Sequence, residues 1–105
     1  MKMIKAIIRP EKEADVLRQL ESEGIYGMTK WDVLGRGKQR GIQVGSTLYE
    51  ELSKLMLMIV VSDEECQKAV NAISKAGFTG NYGDGKIFIS PMQEVYTIRT
   101  GESLK

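Results

Sequence analysis

The chain has 105 residues, 15 Lys and Arg against 14 Asp and Glu, a formal net charge of +1, and 42% hydrophobic residues. That length fits one domain spanning 1–105, and the charge balance argues against binding nucleic acid through bulk charge. With His at 0 and Cys at 1, imidazole acid–base catalysis, Ser-His triads, His- or Cys-cluster metal sites and internal disulfides are all excluded. No run reaches the ~18–20 apolar residues of a membrane span. No secretory signal pattern opens the chain, so the expected compartment is the cytoplasm.

Met1 to Ile8 reads as a strand, with Met3, Ile4, Ala6, Ile7 and Ile8 interrupted by Lys2 and Lys5. Pro10 suits a helix first turn. From Glu11 to Glu23 an apolar stripe of Ala14, Val16, Leu17 and Leu20 predicts a helix, with Gly24 as its C-terminal cap. Met28 to Leu34 is a second strand, with Thr29, Trp31 and Val33 on one face and Met28, Lys30 and Asp32 on the other. Gly35 to Ser53 has no clear period and carries four glycines, which predicts a long loop or a hairpin with a mobile tip. Loops of that length are usually functional.

Lys54 to Val61 is a third strand, apolar without alternation from Leu55 onward. Ser62 and Glu65 form a capping box for a helix carrying Cys66, Ala69, Val70 and Ile73 at helical spacing, ended by Gly77. Lys86 to Ser90 is a fourth strand, and Val95 to Arg99 a short extended piece in a tail over about 95–105. The order βαββαβ is the ferredoxin-like, split-βαβ sandwich, an α+β fold with both helices on one face. Because Leu55–Val61 and Ile87–Ile89 leave the other face apolar too, that face is expected to be buried against other copies of the chain.

Two Gly-rich segments carry the chemistry. Gly80 through Lys86 fits the spacing G-x-x-x-x-G-K, but Ile87 stands where Ser or Thr must reach magnesium, and a strand follows instead of a helix. A P-loop NTPase is therefore disfavoured, while a turn whose backbone amides and Lys86 approach an anion remains open beside an ordinary Gly-Asp-Gly turn. The second segment, Gly35-Arg36-Gly37-Lys38-Gln39-Arg40-Gly41, interleaves cations with glycines, and the Gln39 carbonyl can serve a metal or hydroxyl. The tail adds Arg99-Thr100-Gly101-Glu102. Without a His or an evident nucleophile, these segments favour binding a small anion over transforming it.

Together they are recognisable. Thr79-Gly80-Asn81-Tyr82-Gly83-Asp84-Gly85-Lys86-Ile87-Phe88 resembles the C-terminal signature of the PII signal-transduction proteins, and the 35–41 and 99–102 segments and Gly27-Met28-Thr29 are similar to that family's other motifs. The resemblance implies a ferredoxin-like homotrimer with sheets facing inward, binding ATP or ADP in clefts between subunits and 2-oxoglutarate through Mg2+. By position it implies that Gly27, Met28, Thr29, Gly35, Gly37, Lys38, Gly41, Thr79, Gly83, Asp84, Gly85, Lys86 and Arg99 contact nucleotide or shape its site. Ile7 and Val60 would line the adenine pocket, Gln39 would help hold Mg2+, and Lys54 would pair with a 2-oxoglutarate carboxylate.

Departures from the family pattern fall at Lys38 and Thr97, each in place of an Arg, and at Met58, in place of a carboxylate. The long loop, about 36–53, looks a few residues shorter than usual and lacks the common modifiable stretch, so uridylylation at Tyr49 does not follow. The loop and tail are similar to the nitrogenase-regulating PII-like branch, the NifI type. That branch implies a second PII-like paralogue, nitrogenase as target, and a loop whose conformation is biased by ligand at its root. Alternatives are a general PII regulator of an ammonium transporter or glutamine synthetase, and a small phosphotransferase or acylphosphatase-like enzyme. A nucleic-acid binder on this sheet needs exposed aromatics on adjacent strands, where only Phe88 stands. Cys66 reads as core packing, and the methionines as filler rather than a copper site.

Overall fold

The computed structural model describes residues 1–36 and 51–104. Strand β1 spans Lys2–Ile8, β2 Thr29–Gly35, β3 Leu52–Val61 and β4 Lys86–Pro91, in one antiparallel sheet of order β2-β3-β1-β4. Helices α1, Glu13–Ser22, and α2, Asp63–Gly77, connect them, and their buried residues join those of β1 and β3 in one core. This is the ferredoxin-like arrangement expected from the order of apolar runs.

The register explains why β3 lacks alternation. Ile4, Ala6 and Ile8 of β1 pair with Ile59, Leu57 and Leu55 of β3, and all six are buried together with Val16, Leu20, Ala69 and Ile73 of the helices. The intervening Met56, Met58 and Val60 belong to the opposite, helix-free face with Met3 and Ile7. Trp31 and Phe88 lie on that face too, opposite Met56 and Lys5, and remain 40% and 49% exposed. Both faces of the central strands are therefore apolar, while only one is covered by helices. Burying a large apolar side chain stabilises by roughly 1.5–3 kcal/mol.

The ends of the elements refine the sequence reading. Pro10 opens a separate 3-10 turn, Pro10–Lys12, rather than the α-helix, which starts at Glu13 with no side-chain cap from Arg9 or Lys12. Gly24 closes α1 as expected: at φ +79 it lets its own N–H reach Glu21 O and the Ile25 N–H reach Leu20 O, both at 2.9 Å. This is a Schellman closure that packs buried Ile25 near Leu20. The Ser62–Glu65 capping box is present in both directions. Gly77 ends α2 as expected, as its buried last residue, and the chain leaves through extended Phe78.

Strand β2 begins at Thr29, one residue after the expected Met28, which packs partly buried against the core. Strand β3 begins at Leu52, two residues before Lys54, because Leu52 and Ser53 pair with Gly35 and Leu34. The tail is not one extended piece. It is a hairpin, β5 Tyr96–Thr97 against β6 Glu102–Ser103, reversed where Gly101 adopts φ +69 and donates to Thr97 O at 2.8 Å. Arg99 consequently sits in the turn at its tip.

Candidate functional site

At the C-terminal end of β1 the turn entering β4 closes over the open face and leaves a cleft of about 400 Å³. Its walls are Ile7, Gly35, Arg36, Lys54, Asn81, Tyr82, Gly83, Asp84, Gly85 and Lys86. Two of the Gly-rich motifs, far apart in sequence, meet here because β2 and β4 flank the β3–β1 pair.

The turn is braced by one carboxylate. Asp84 Oδ2 accepts from the Thr79 and Gly80 backbone N–H groups at 2.8 and 2.9 Å, and its Oδ1 accepts from the Thr79 hydroxyl and, at 3.0 Å, from Arg9 Nε. The Thr79 hydroxyl, then the two backbone donors and the Arg9 guanidinium, hold the Asp84 carboxyl well below the usual carboxylate range. Arg9 Nη2 also donates to Tyr82 O at 2.9 Å. Gly80 and Gly83 adopt φ of +88 and +100. Gly85 is the closest approach: a Cβ there would lie 1.7 Å from the Ile7 carbonyl oxygen. Only glycine fits.

Lys54 projects from β3 into this frame. It is 8% exposed, and its Nζ donates to Gly83 O at 2.5 Å. Burial, aided by the Arg9 charge, pushes its pKa down, while Glu11 and Asp84 oppose that shift. An ammonium so placed has two N–H donors left for an anion. Lys86 is exposed at the mouth and makes no ion pair among the described residues. Arg36 pairs with Glu51 at 3.5 Å across the root of the 37–50 segment. The cleft thus combines a braced glycine turn, apolar walls at Ile7 and Tyr82 and three cations, a set suited to phosphate and carboxylate oxygens.

The expected site residues divide into groups. Ile7, Gly35, Lys54, Gly83, Asp84, Gly85 and Lys86 line the cleft, and Thr79 sits at its base through Asp84. Thr29 pairs with Met58, level with Lys5, and Val60 pairs with Met3, which sets them about 7 and 13 Å along the strands from Ile7. Gly27 and Met28 line a small separate cavity with Leu17, Leu20 and Ile25. Arg99 stands on the tail hairpin. Gly37, Lys38, Gln39 and Gly41 lie outside the described residues, as does Tyr49. Among the described residues no three His, Cys, Asp or Glu side chains are gathered as a metal site. Sequence reasoning missed Arg9, whose only signal was a cation at the end of a strand beside Pro10.

The family model described as Nitrogen regulatory protein P-II matches residues 1–102. The chain belongs to the P-II family. Among similar proteins, a "Nitrogen fixation nifHD region GlnB-like protein 1" of Methanothermococcus thermolithotrophicus is 52% identical over 103 residues, 98% of each chain. One of the same description from Methanococcus maripaludis is 49% identical over 100 residues, 95% of each chain. A "Nitrogen regulatory protein P-II 2" of Methanothermobacter thermautotrophicus is 49% identical over 109 residues, covering 100% of this chain and 95% of that one. This P-II family member is therefore a PII-like nitrogen regulatory protein of the nifHD-region GlnB-like type, and the family and these relatives are regulators rather than enzymes. None of its described helices is long and apolar enough to cross a membrane.

Proposed function

We propose that the cleft senses ATP or ADP together with Mg2+ and 2-oxoglutarate, and that the segment between Arg36 and Glu51 transmits the liganded state to a target, nitrogenase, in the cytoplasm. The braced turn carries this reading. Its glycine backbone and Lys86 can hold phosphates, while Lys54, already beside Gly83, offers a point charge to a carboxylate. Mg2+ would be held partly by Gln39 and would neutralise charge between nucleotide and 2-oxoglutarate.

The binding unit is a homotrimer. One set of the expected nucleotide contacts lies at Ile7 and Gly83–Lys86, and another at Thr29, Val60 and Arg99, away from that cleft. A neighbouring copy can supply the second set. The open face with Trp31, Met56, Met58 and Phe88 gives such copies an apolar contact. Assembly with a second PII-like paralogue uses the same surface.

The 49% identity to a protein named P-II 2 supports a second reading, a general regulator acting on an ammonium transporter or glutamine synthetase. Calorimetry with Mg-ATP and 2-oxoglutarate tests the sensing. Gln39→Glu and Lys54→Ala should lose the 2-oxoglutarate response and keep oligomerisation; wild-type 2-oxoglutarate affinity in both variants refutes the assignment. Retention of nitrogenase, relieved by 2-oxoglutarate, separates the first target from the second.

A further inference from the structure

Tyr82 is 66% exposed, yet its backbone is fixed. Its carbonyl accepts from Arg9, the Asp84 carboxylate locks the turn around it, and glycines at positive φ stand on both sides. An aromatic whose backbone is already fixed at the rim of a cleft has less left to order when a ligand meets it. Its place along the chain sets which part of a ligand it meets. The Lys54 ammonium is bonded to the carbonyl of Gly83, the residue next to Tyr82, and both side chains line the one cleft, so an anion paired to Lys54 shares that cleft with the phenol ring. Ile7 contributes the other apolar wall of the same cleft. A group bound between them is charged where it meets Lys54 and aliphatic where it meets the two walls. That describes a short-chain aliphatic carboxylate better than a phosphate, which has no apolar surface to bury.

We infer that Tyr82 is a specificity-determining residue, its ring covering the methylene chain of the carboxylate effector at Lys54 and excluding water from that ion pair. The inference rests on the sensing role proposed for the cleft and adds to it which residue selects the effector. Calorimetry on the intact protein tests it, titrating Mg-ATP alone and then 2-oxoglutarate at saturating Mg-ATP. Tyr82→Ala should weaken 2-oxoglutarate by about tenfold while Mg-ATP stays within about twofold, and Tyr82→Phe should bind both as wild type does. Three results overturn it: unchanged 2-oxoglutarate binding in Tyr82→Ala, equal weakening of both ligands, or a Phe variant as defective as Ala. Lys54→Ala run in parallel separates the failures. If it loses 2-oxoglutarate while Tyr82→Ala does not, only the role of Tyr82 falls; if it too binds normally, the reading of the cleft falls with it.

Discussion

Among the described residues, Gly85→Ala should be the most damaging single added methyl. Gly85 precedes β4, where Lys86 pairs with Ile7 of β1, and its φ is +109. The new Cβ would stand 1.7 Å from the Ile7 carbonyl oxygen and 2.8 Å from its carbon. Both are backbone atoms in the sheet, so no rotamer change relieves the overlap. Reaching even 3.0 Å requires the start of β4 to move away from β1 by more than an ångström, beyond what the ladder tolerates. The left-handed backbone costs about 1–2 kcal/mol, and the lost pairing about 1 kcal/mol for each bond. Together they predict a loss of about 3–5 kcal/mol, a large part of the ~5–15 kcal/mol that stabilises a domain.

Gly24→Ala provides the control. Gly24 also has positive φ, +79, but nothing lies within 4 Å of its added Cβ, so only the backbone cost of about 1–2 kcal/mol remains. Urea unfolding of both variants at one protomer concentration compares them directly. Gly85→Ala should unfold at clearly lower urea than Gly24→Ala. Equal midpoints would refute the steric argument and leave conformational strain as the whole effect.

Three further outcomes follow from the same contacts. Ser62→Ala removes the hydroxyl half of the α2 capping box and should cost about 1 kcal/mol in urea unfolding. Asp84→Asn should destabilise the turn in a pH-dependent way: the folded-state pKa lies below the ordinary 3.8, so the wild-type advantage is full above that value and shrinks as pH falls through the depressed folded pKa. Paired acid titrations by circular dichroism check this, and a gap unchanged down to the acid transition would contradict it. Lys54→Met tests the buried cation. The Lys54 pKa is lowered from 10.5, so charge at Lys54 opposes folding below its folded pKa. Wild type should therefore gain stability relative to the Lys54→Met variant as pH rises through that folded pKa toward 10.5, which urea unfolding across that range reads directly.

The element order was legible because apolar runs of strand and helix period are separated by Gly and Pro. The capping box and the Gly24 closure depend on residues close together in the chain, and both are found as read. The unbroken β3 pattern was also informative, since only a strand with two apolar faces writes it. The tail hairpin was missed although its signal, Thr100-Gly101 between two short polar runs, stood in the sequence. Asp84 marks a different limit. Its motif marks the turn, but its carboxylate is committed to Thr79, Gly80 and Arg9, and a motif match does not distinguish a ligand contact from the brace that shapes the turn. Arg9 lies 75 residues away in sequence, so its part in the turn emerges only once β1 and β4 are paired.

If, as proposed, residues at both ends of one sheet face meet at a shared ligand, the copies join head to tail, and such contacts close into rings when the rotation allows. Nucleotide bound across two copies then stabilises the assembly, and by linkage the assembly strengthens nucleotide binding by the same factor. Diluting the protein until light scattering reports protomers should therefore weaken Mg-ATP binding, measured at the same concentrations with a fluorescent ATP analogue. Lys86→Ala, altered within the cleft, should lose affinity at every concentration, whereas Trp31→Glu, placed on the apolar face, should behave at high concentration as the wild type does when diluted. An affinity that stays constant through dissociation would mean that one chain holds the whole site, and the shared-cleft reading would have to be abandoned.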